Sequence, residues 1–422
     1  MKFSVRSSIC NGVAAIPSSK SETIRALFIS ALADGISVID NPLISADTVA
    51  AKEAVSAMGA TLIEDKNRWQ IKGFSGKPTP LVDTIDVGNS GTTARFIISM
   101  AALSDKRITI IGDESTSSRP MAPLVNSLID LKVLNATTTN NKLPVTIQGP
   151  AKGGATTVSG ETSQYLSSLL IHAPLFADSS QITVESLNEK PYVDMTCAWL
   201  DKVSVDYQRT GYSKFEVKGG ASYQPLNEKI GGDFSSATFF AMLGAIPGNE
   251  VTLTGLDMND SQGDKAIFDY LAMMGAQIKF YDDKIVVKGD KLVGCRLDIN
   301  ATPDAICAFA ALGAIASGET LITNVAQARI KECDRIDVMA TELSKMGVKC
   351  KQQPDGLTIR HSKLNPATIN GHHDHRVVMS FAILATCVEG ETTINCAEAV
   401  DVTFPNFLDT LQGCKGDISL IR

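Results

Sequence analysis

Internal repetition constrains this 422-residue chain most, because a sequence that restates one supersecondary pattern must build its core by packing copies of it. From Asp47 to Gly73 an acidic start leads into an apolar-periodic run ending in Met58-Gly59-Ala60. Two short alternating segments follow, divided by the polar stretch Glu64 to Arg68. This reads as a helix, a glycine stop and a hairpin. The pattern returns at Asp264 to Gly289 with Met274-Gly275-Ala276, and at Asp334 to Arg360 with Met346-Gly347-Val348. Looser copies start at Met121, Asp194 and Asp401, so the starts recur roughly every 70 residues and six copies nearly exhaust the chain.

Each copy also has a first half, in which a short strand enters a polar turn and then an apolar helix rich in Ala and Phe. The turns are Ser18 to Ser21, Asn89 to Thr92, Glu161 to Gln164, Asp233 to Ser236, Ala301 to Asp304 and Asp374 to Arg376. Helices are predicted at Ala26 to Ala33, Ala94 to Leu103, Tyr165 to Leu175, Ala237 to Ile246, Ala305 to Ile315 and Val377 to Cys387. Most are apolar nearly all round, which marks buried helices. The unit is therefore roughly βαβαββ, and the chain is an α/β protein. The length favours two or three domains, so two lobes of three units each would fit.

If three units pack around each lobe's axis with their buried helices parallel, three helix N-termini converge on one face. Ser, Thr, Asp and Asn there are ordinary caps, yet the convergent N–H groups and dipoles attract anions. Two such faces are expected to form an anion cleft. Near the turns lie Lys20, Arg25, Arg95, Arg119, Lys331, Arg335 and Arg376, cations that capping alone does not require. Arginine forks grip carboxylates and phosphates, while lysine is a point charge that can move a proton. Asp304 and Glu332 fall at or near the same loops, where one acid and one base could divide the work.

Other chemistries lack support. Net charge of −7 gives no general pull toward nucleic acid or an anionic membrane surface, so anion binding must be local. The longest nearly uncharged apolar stretch, Ile306 to Ser317, is shorter than the ~20 residues of a spanning helix. Lys2 and Arg6 precede no apolar signal core, and nine cysteines contain no Cys-x-x-Cys pair, so a cytoplasmic protein with reduced thiols is expected. No Walker loop and no Gly-x-Gly-x-x-Gly follows a strand, and Gly88-Asn89-Ser90-Gly91 lacks hydrolase-elbow spacing. Cys333 has no dedicated histidine and reads as inert. The run His372-His373-Asp374-His375 invites a metal reading, but no further ligand stands nearby in sequence, and His375-Arg376 occupies an anion-binding turn.

Taken together, Pro17 to Arg25, Gly88 to Arg95, Gly112 to Met121, Ser163 to Leu166, Lys190 to Thr196, Lys331 to Ile336, Asp374 to Arg376 and Thr403 to Pro405 resemble the 5-enolpyruvylshikimate-3-phosphate synthase (3-phosphoshikimate 1-carboxyvinyltransferase) family along the whole chain. The resemblance implies two lobes, each of three βαβαββ units around buried parallel helices. Residues 18–226 would form the N-terminal lobe, and 1–17 with 227–422 the C-terminal one. It implies transfer of the enolpyruvyl group of phosphoenolpyruvate to shikimate 3-phosphate by a monomer, with no metal, no organic cofactor, no nucleic acid and no membrane partner.

By the same resemblance, shikimate 3-phosphate falls to Lys20, Ser21, Arg25, Thr162, Ser163, Gln164, Tyr192, Asp304, Gln327 and Lys331. Phosphoenolpyruvate falls to Lys20, Asn89, Gly91, Arg119, Gln164, Arg335, His375 and Arg376. Asp304 resembles the family's base and Glu332 its acid, with Lys20 as an alternative proton donor. Three positions depart from the family pattern: Thr162 and Glu189 stand where serines are common, and Val402 where a lysine is. Two rivals remain. A transferase of the same fold acting on a UDP-linked amino sugar is disfavoured by Ser21 and Arg25 after Lys20, and by the absence of cysteine from Gly112 to Met121. A non-catalytic anion binder gains nothing from Asp304 and Glu332.

Overall fold

The computed structural model describes residues 1–421 and contains six four-stranded sheets, one for each repeat. Residues 84–148 show the plan: strand Thr84–Asp86, helix Gly91–Ala101, strand Ile108–Ile111, helix Ala122–Asp130, then the hairpin Asn135–Thr139 and Lys142–Gln148. The first two strands pair in parallel, the hairpin is antiparallel, and the spatial order is first, second, fourth, third. This is the predicted βαβαββ unit. The expected glycine stops are present, with Gly275 at φ 98° and Gly347 at φ 87°, left-handed positions that favour glycine after a helix.

The central helices are Lys20–Leu32, Gly91–Ala101, Ser163–His172, Phe234–Ala245, Ile306–Ile315 and His375–Ala385. Every residue of Phe234–Ala245 is buried, as its lack of a polar stripe requires. Asp233 starts that helix by accepting from Ser235 N–H at 2.9 Å, and Ile246, extended before Pro247, ends it. Each fully buried Phe or Leu in such a helix contributes roughly 1.5–3 kcal/mol. Two of the helices reveal their relative direction. Arg95 bonds Gln164, and one turn further on Ser99 accepts from Ser168 Oγ, so Gly91–Ala101 and Ser163–His172 run parallel.

The chain divides into two compact units, residues 20–230 and residues 1–19 with Gly231 onward, each with its own core. At both crossings a strand is exchanged. Asn11–Ala15 precedes the helix Lys20–Leu32 in sequence, yet it pairs in parallel with Glu250–Thr254. Asn227–Lys229 precedes Phe234–Ala245, yet it pairs in parallel with Val38 to Asp40. The sequence reading put the second crossing at 227; these strand hydrogen bonds keep the chain in the first unit through Ile230. Lys2–Arg6 likewise enters the last repeat, between Glu391–Asn395 and Asp417–Ile421. Among the described residues no helix is long and apolar enough to cross a membrane.

One buried residue couples this packing to pH. His172 ends its helix fully buried, edge-on to Phe28, with Nδ1 2.8 Å from Ser168 O. Burial lowers its pKa to about 4, against a small opposing effect of that backbone bond. The unfolded chain takes up a proton near pH 6.5 and the folded one does not until about 4, so stability falls as pH drops through that window. At pH 5 the loss should be about 2 kcal/mol relative to pH 7. Urea midpoints at the two pH values measure it. His172→Phe should shrink the difference, and an undiminished one would assign the acid sensitivity elsewhere.

Candidate active site

In the unit of residues 20–230, helix starts carry crowded cations. Arg95 Nη1 donates to Gln164 Oε1 at 2.7 Å and to Gly91 O at 3.0 Å. A methyl group on Gly91 would lie 2.5 Å from Arg119 Nη1 and 2.8 Å from Arg95 Nη1, so both guanidiniums crowd this glycine. Burial lowers the Arg95 pKa, Tyr165 raises it in part, and Arg119 lowers it further. Two like charges held together out of water repel strongly, and an anion between them relieves that repulsion.

Arg25 is buried and braced. Its Nε donates to Thr196 Oγ1 at 2.8 Å, Nη1 to Ser21 O at 3.0 Å and Nη2 to Tyr192 O at 3.1 Å. Burial pulls its pKa down to about 10 against the raising effect of Tyr192, Glu22 and Glu189. Two of its N–H groups thus tie the helix Lys20–Leu32 to the helix Lys190–Lys202, and the third turns back to Ser21 in its own helix. Lys20, first residue of the former, holds Asp47 Oδ2 at 2.9 Å. The cap of Ser163–His172 is occupied from within the protein. Glu189 Oε2 accepts from Ser163 N at 3.1 Å, Ser163 Oγ at 2.8 Å and Thr162 Oγ1 at 3.2 Å. A carboxylate therefore sits where a helix N-terminus receives anions.

In the other unit, one guanidinium organises three carboxylates. Arg335 Nε donates to Asp374 Oδ2 at 2.8 Å, Nη1 to Asp304 Oδ1 at 2.7 Å and Nη2 to Glu332 Oε2 at 2.5 Å. Arg376 Nη2 reaches the second oxygen of Asp304 at 2.9 Å. Burial alone would raise the Asp304 pKa, but Arg376, Arg335 and Lys331 outweigh it and hold the carboxyl far below its ordinary value. For Arg335 burial is likewise outweighed, here by Asp374, Glu332 and Asp304, and its pKa is raised. Asp374 also caps the helix His375–Ala385 by accepting from Arg376 N at 2.8 Å. The cluster therefore stands at the start of a central helix, with Asp304 in the turn before Ile306–Ile315.

The remaining expected residues fall as follows. Asn89 donates to Asp113 at 2.7 Å, His375 is buried in its helix's first turn, and buried Gln327 donates to Asn300 O at 3.2 Å. Lys331 follows the 3-10 turn Ala326–Ile330 and acts on Asp304 through its charge. Val402 closes the 3-10 stretch Ala397–Val402. Sequence reasoning overlooked Asp47, Thr196 and the anchoring role of Asp374. Asp47 resembles an ordinary helix residue until its long-range partner appears, whereas Thr196 and Asp374 lie within stretches that carry the family resemblance, without their partners being visible there. The run of histidines does not act together: His372 Nε2 faces Glu342 at 3.0 Å, and Asp374 is bound to Arg335.

Comparison with known proteins follows the same lines. The family model of EPSP synthase (3-phosphoshikimate 1-carboxyvinyltransferase) matches residues 6–411. A 3-phosphoshikimate 1-carboxyvinyltransferase of Acetivibrio thermocellus is 49% identical over 99% of both chains. One of Methanococcoides burtonii is 39% identical over 100% of this chain and 99% of its own. Among solved structures, EPSP synthase from Acinetobacter baumannii superposes with a TM-score of 0.82 at 26% identity, covering 99% of this chain and all of that one. The enolpyruvyl transferase NikO of Streptomyces tendae reaches 0.80 at 15% identity over 99% and 98%, a likeness of fold.

The two arginine arrangements should answer mutation differently. Arg335→Met strands buried Asp374 with neighbouring carboxylates, and should lower stability by about 3–5 kcal/mol. Arg119→Ala, which removes one of two crowded cations, should cost no more than about 1.5 kcal/mol. Denaturant midpoints of both variants test this, and a mild Arg335→Met would show that the carboxylates find other partners.

Proposed function

The chain belongs to the EPSP synthase family, and on that footing we propose that it transfers the enolpyruvyl group of phosphoenolpyruvate to the 5-hydroxyl of shikimate 3-phosphate, releasing phosphate. The observation that carries the reading is the 49% identity, over 99% of both chains, to a 3-phosphoshikimate 1-carboxyvinyltransferase. The chemistry of the helix starts supports it, because two phosphates and two carboxylates must be neutralised and this chain gathers Arg and Lys at those starts. The enzyme works in the cytoplasm as a monomer, in the step that feeds aromatic amino-acid synthesis, and needs neither metal nor organic cofactor.

In this proposal Lys20, Ser21, Arg25, Thr162, Ser163, Gln164, Tyr192, Gln327 and Lys331 serve the sugar phosphate. Asn89, Gly91, Arg119, Arg335, His375 and Arg376 serve phosphoenolpyruvate, and Lys20 and Gln164 touch both. In the first step the 5-oxygen bonds to C2 of phosphoenolpyruvate, its proton leaves to a base, and C3 gains a proton. In the second, phosphate departs and C3 returns a proton. Asp304 is the base. While Arg335 and Arg376 grip it, it is too weakly basic for the task. A substrate anion that takes over those guanidiniums frees Asp304 and restores its basicity when the hydroxyl needs an acceptor. Glu332 must likewise release Arg335, 2.5 Å away, before it can carry a proton to C3. Lys20 is the second candidate donor, with its ammonium held by Asp47.

Phosphate release should require shikimate 3-phosphate and phosphoenolpyruvate together. Release driven instead by a UDP-linked amino sugar would overturn the substrate choice. Glu332→Gln should bind both ligands yet turn over roughly 10²–10⁴ times more slowly. Exchange of the methylene hydrogens of phosphoenolpyruvate with solvent deuterium separates the donors. If Glu332→Gln exchanges as fast as the parent, the proton comes from Lys20.

A further inference from the structure

Apart from the charge cluster, three segments bring metal-ligating atoms together on the surface. The turn before His375–Ala385 supplies His373, the residue after strand Glu391–Asn395 is Cys396, and the 3-10 stretch Ala397–Val402 supplies Glu398. Cys396 Sγ lies 3.9 Å from His373 Nε2 and 3.9 Å from Asn370 Oδ1. A ring nitrogen of His373, Cys396 Sγ and a carboxylate oxygen of Glu398 all fall within 4.8 Å of one another. Donors at tetrahedral zinc distances stand roughly 3.3–3.8 Å apart, so a contraction of at most about 1.5 Å would close them on one ion. We propose that His373, Cys396 and Glu398, with Asn370 at the fourth corner, form a surface site for a divalent zinc-like cation that takes no part in enolpyruvyl transfer.

The donor set argues for the class of ion. Thiolate and imidazole suit zinc and its neighbours, whereas magnesium and calcium want oxygen alone. The adjacent acids and histidines are engaged elsewhere: His372 faces Glu342, and Asp374 serves Arg335. Asn370 Oδ1 is oriented by the His372 N–H at 3.0 Å. The Met1 ammonium lies 2.9 Å from Glu398 Oε2, so an incoming ion competes with it for the carboxylate. Once bound, the ion would clip the turn that carries His373 to the end of a strand, two residues before His375.

Cobalt(II) is the probe, added to the full-length, untagged protein. One equivalent should bind with a near-ultraviolet thiolate-to-cobalt band, and zinc should displace it. Cys396→Ser should abolish the band and Cys295→Ser should keep it, while His373→Ala should weaken binding at least about tenfold. A band that survives Cys396→Ser, or none at one equivalent, overturns the site. Independently of any variant, zinc should slow alkylation of Cys396 in the parent protein, as read by peptide mass mapping. An unchanged rate at saturating zinc would also overturn it.

Discussion

A helix that is apolar on every side has no surface to offer water, and its burial against like helices governs the rest of each unit. Phe234–Ala245 and Ile306–Ile315 have no face on which a charge could sit, so polar residues collect at their ends. Where helices run parallel, as Gly91–Ala101 and Ser163–His172 do, those ends coincide. Backbone N–H groups, caps and cations are then concentrated by packing alone. The apolar interior thus decides where the chemistry must be.

The two units handle the resulting charge in opposite ways. Residues 20–230 leave cations crowded, with Arg95 and Arg119 on one glycine and Arg25 braced by Thr196. The other unit pairs its cations closely, with Arg335 among three carboxylates and Arg376 on Asp304. A buried network of that kind adds little net stability over an apolar core, yet it is costly to break at one point. Its worth lies in being exchangeable: any anion that takes the guanidiniums changes the carboxylates they release.

Much of this was legible beforehand, for reasons that can be named. The predicted helix Ala237 to Ile246 and the observed Phe234–Ala245 differ only at the ends, which Asp233 and Pro247 set. The repeat itself announced the sheets, since strand and hairpin recur with the helix. Strand exchange shows in no local pattern, because Asn11–Ala15 reads the same whichever sheet takes it; only the family resemblance assigned residues 1–17 to the C-terminal lobe, and the distant Glu250–Thr254 takes the strand. The partners of Lys20 and Arg25 were hidden for the same reason. Asp47 and Thr196 show no such partner in sequence, and only the fold brings them to a cation. His373 and Cys396 have no recognised ligand spacing between them.

The borrowed strands impose an order on synthesis. Residues 20–230 contain every strand their own three sheets need, so that unit can close while the rest of the chain is still being made. Lys2–Arg6 must wait for Asp417–Ile421, which is made about 400 residues later. At ~5–20 residues per second the delay is roughly 20 to 80 seconds. Throughout it, Lys2–Arg6 is an open edge in search of a partner, and the last repeat of this unit cannot close without it.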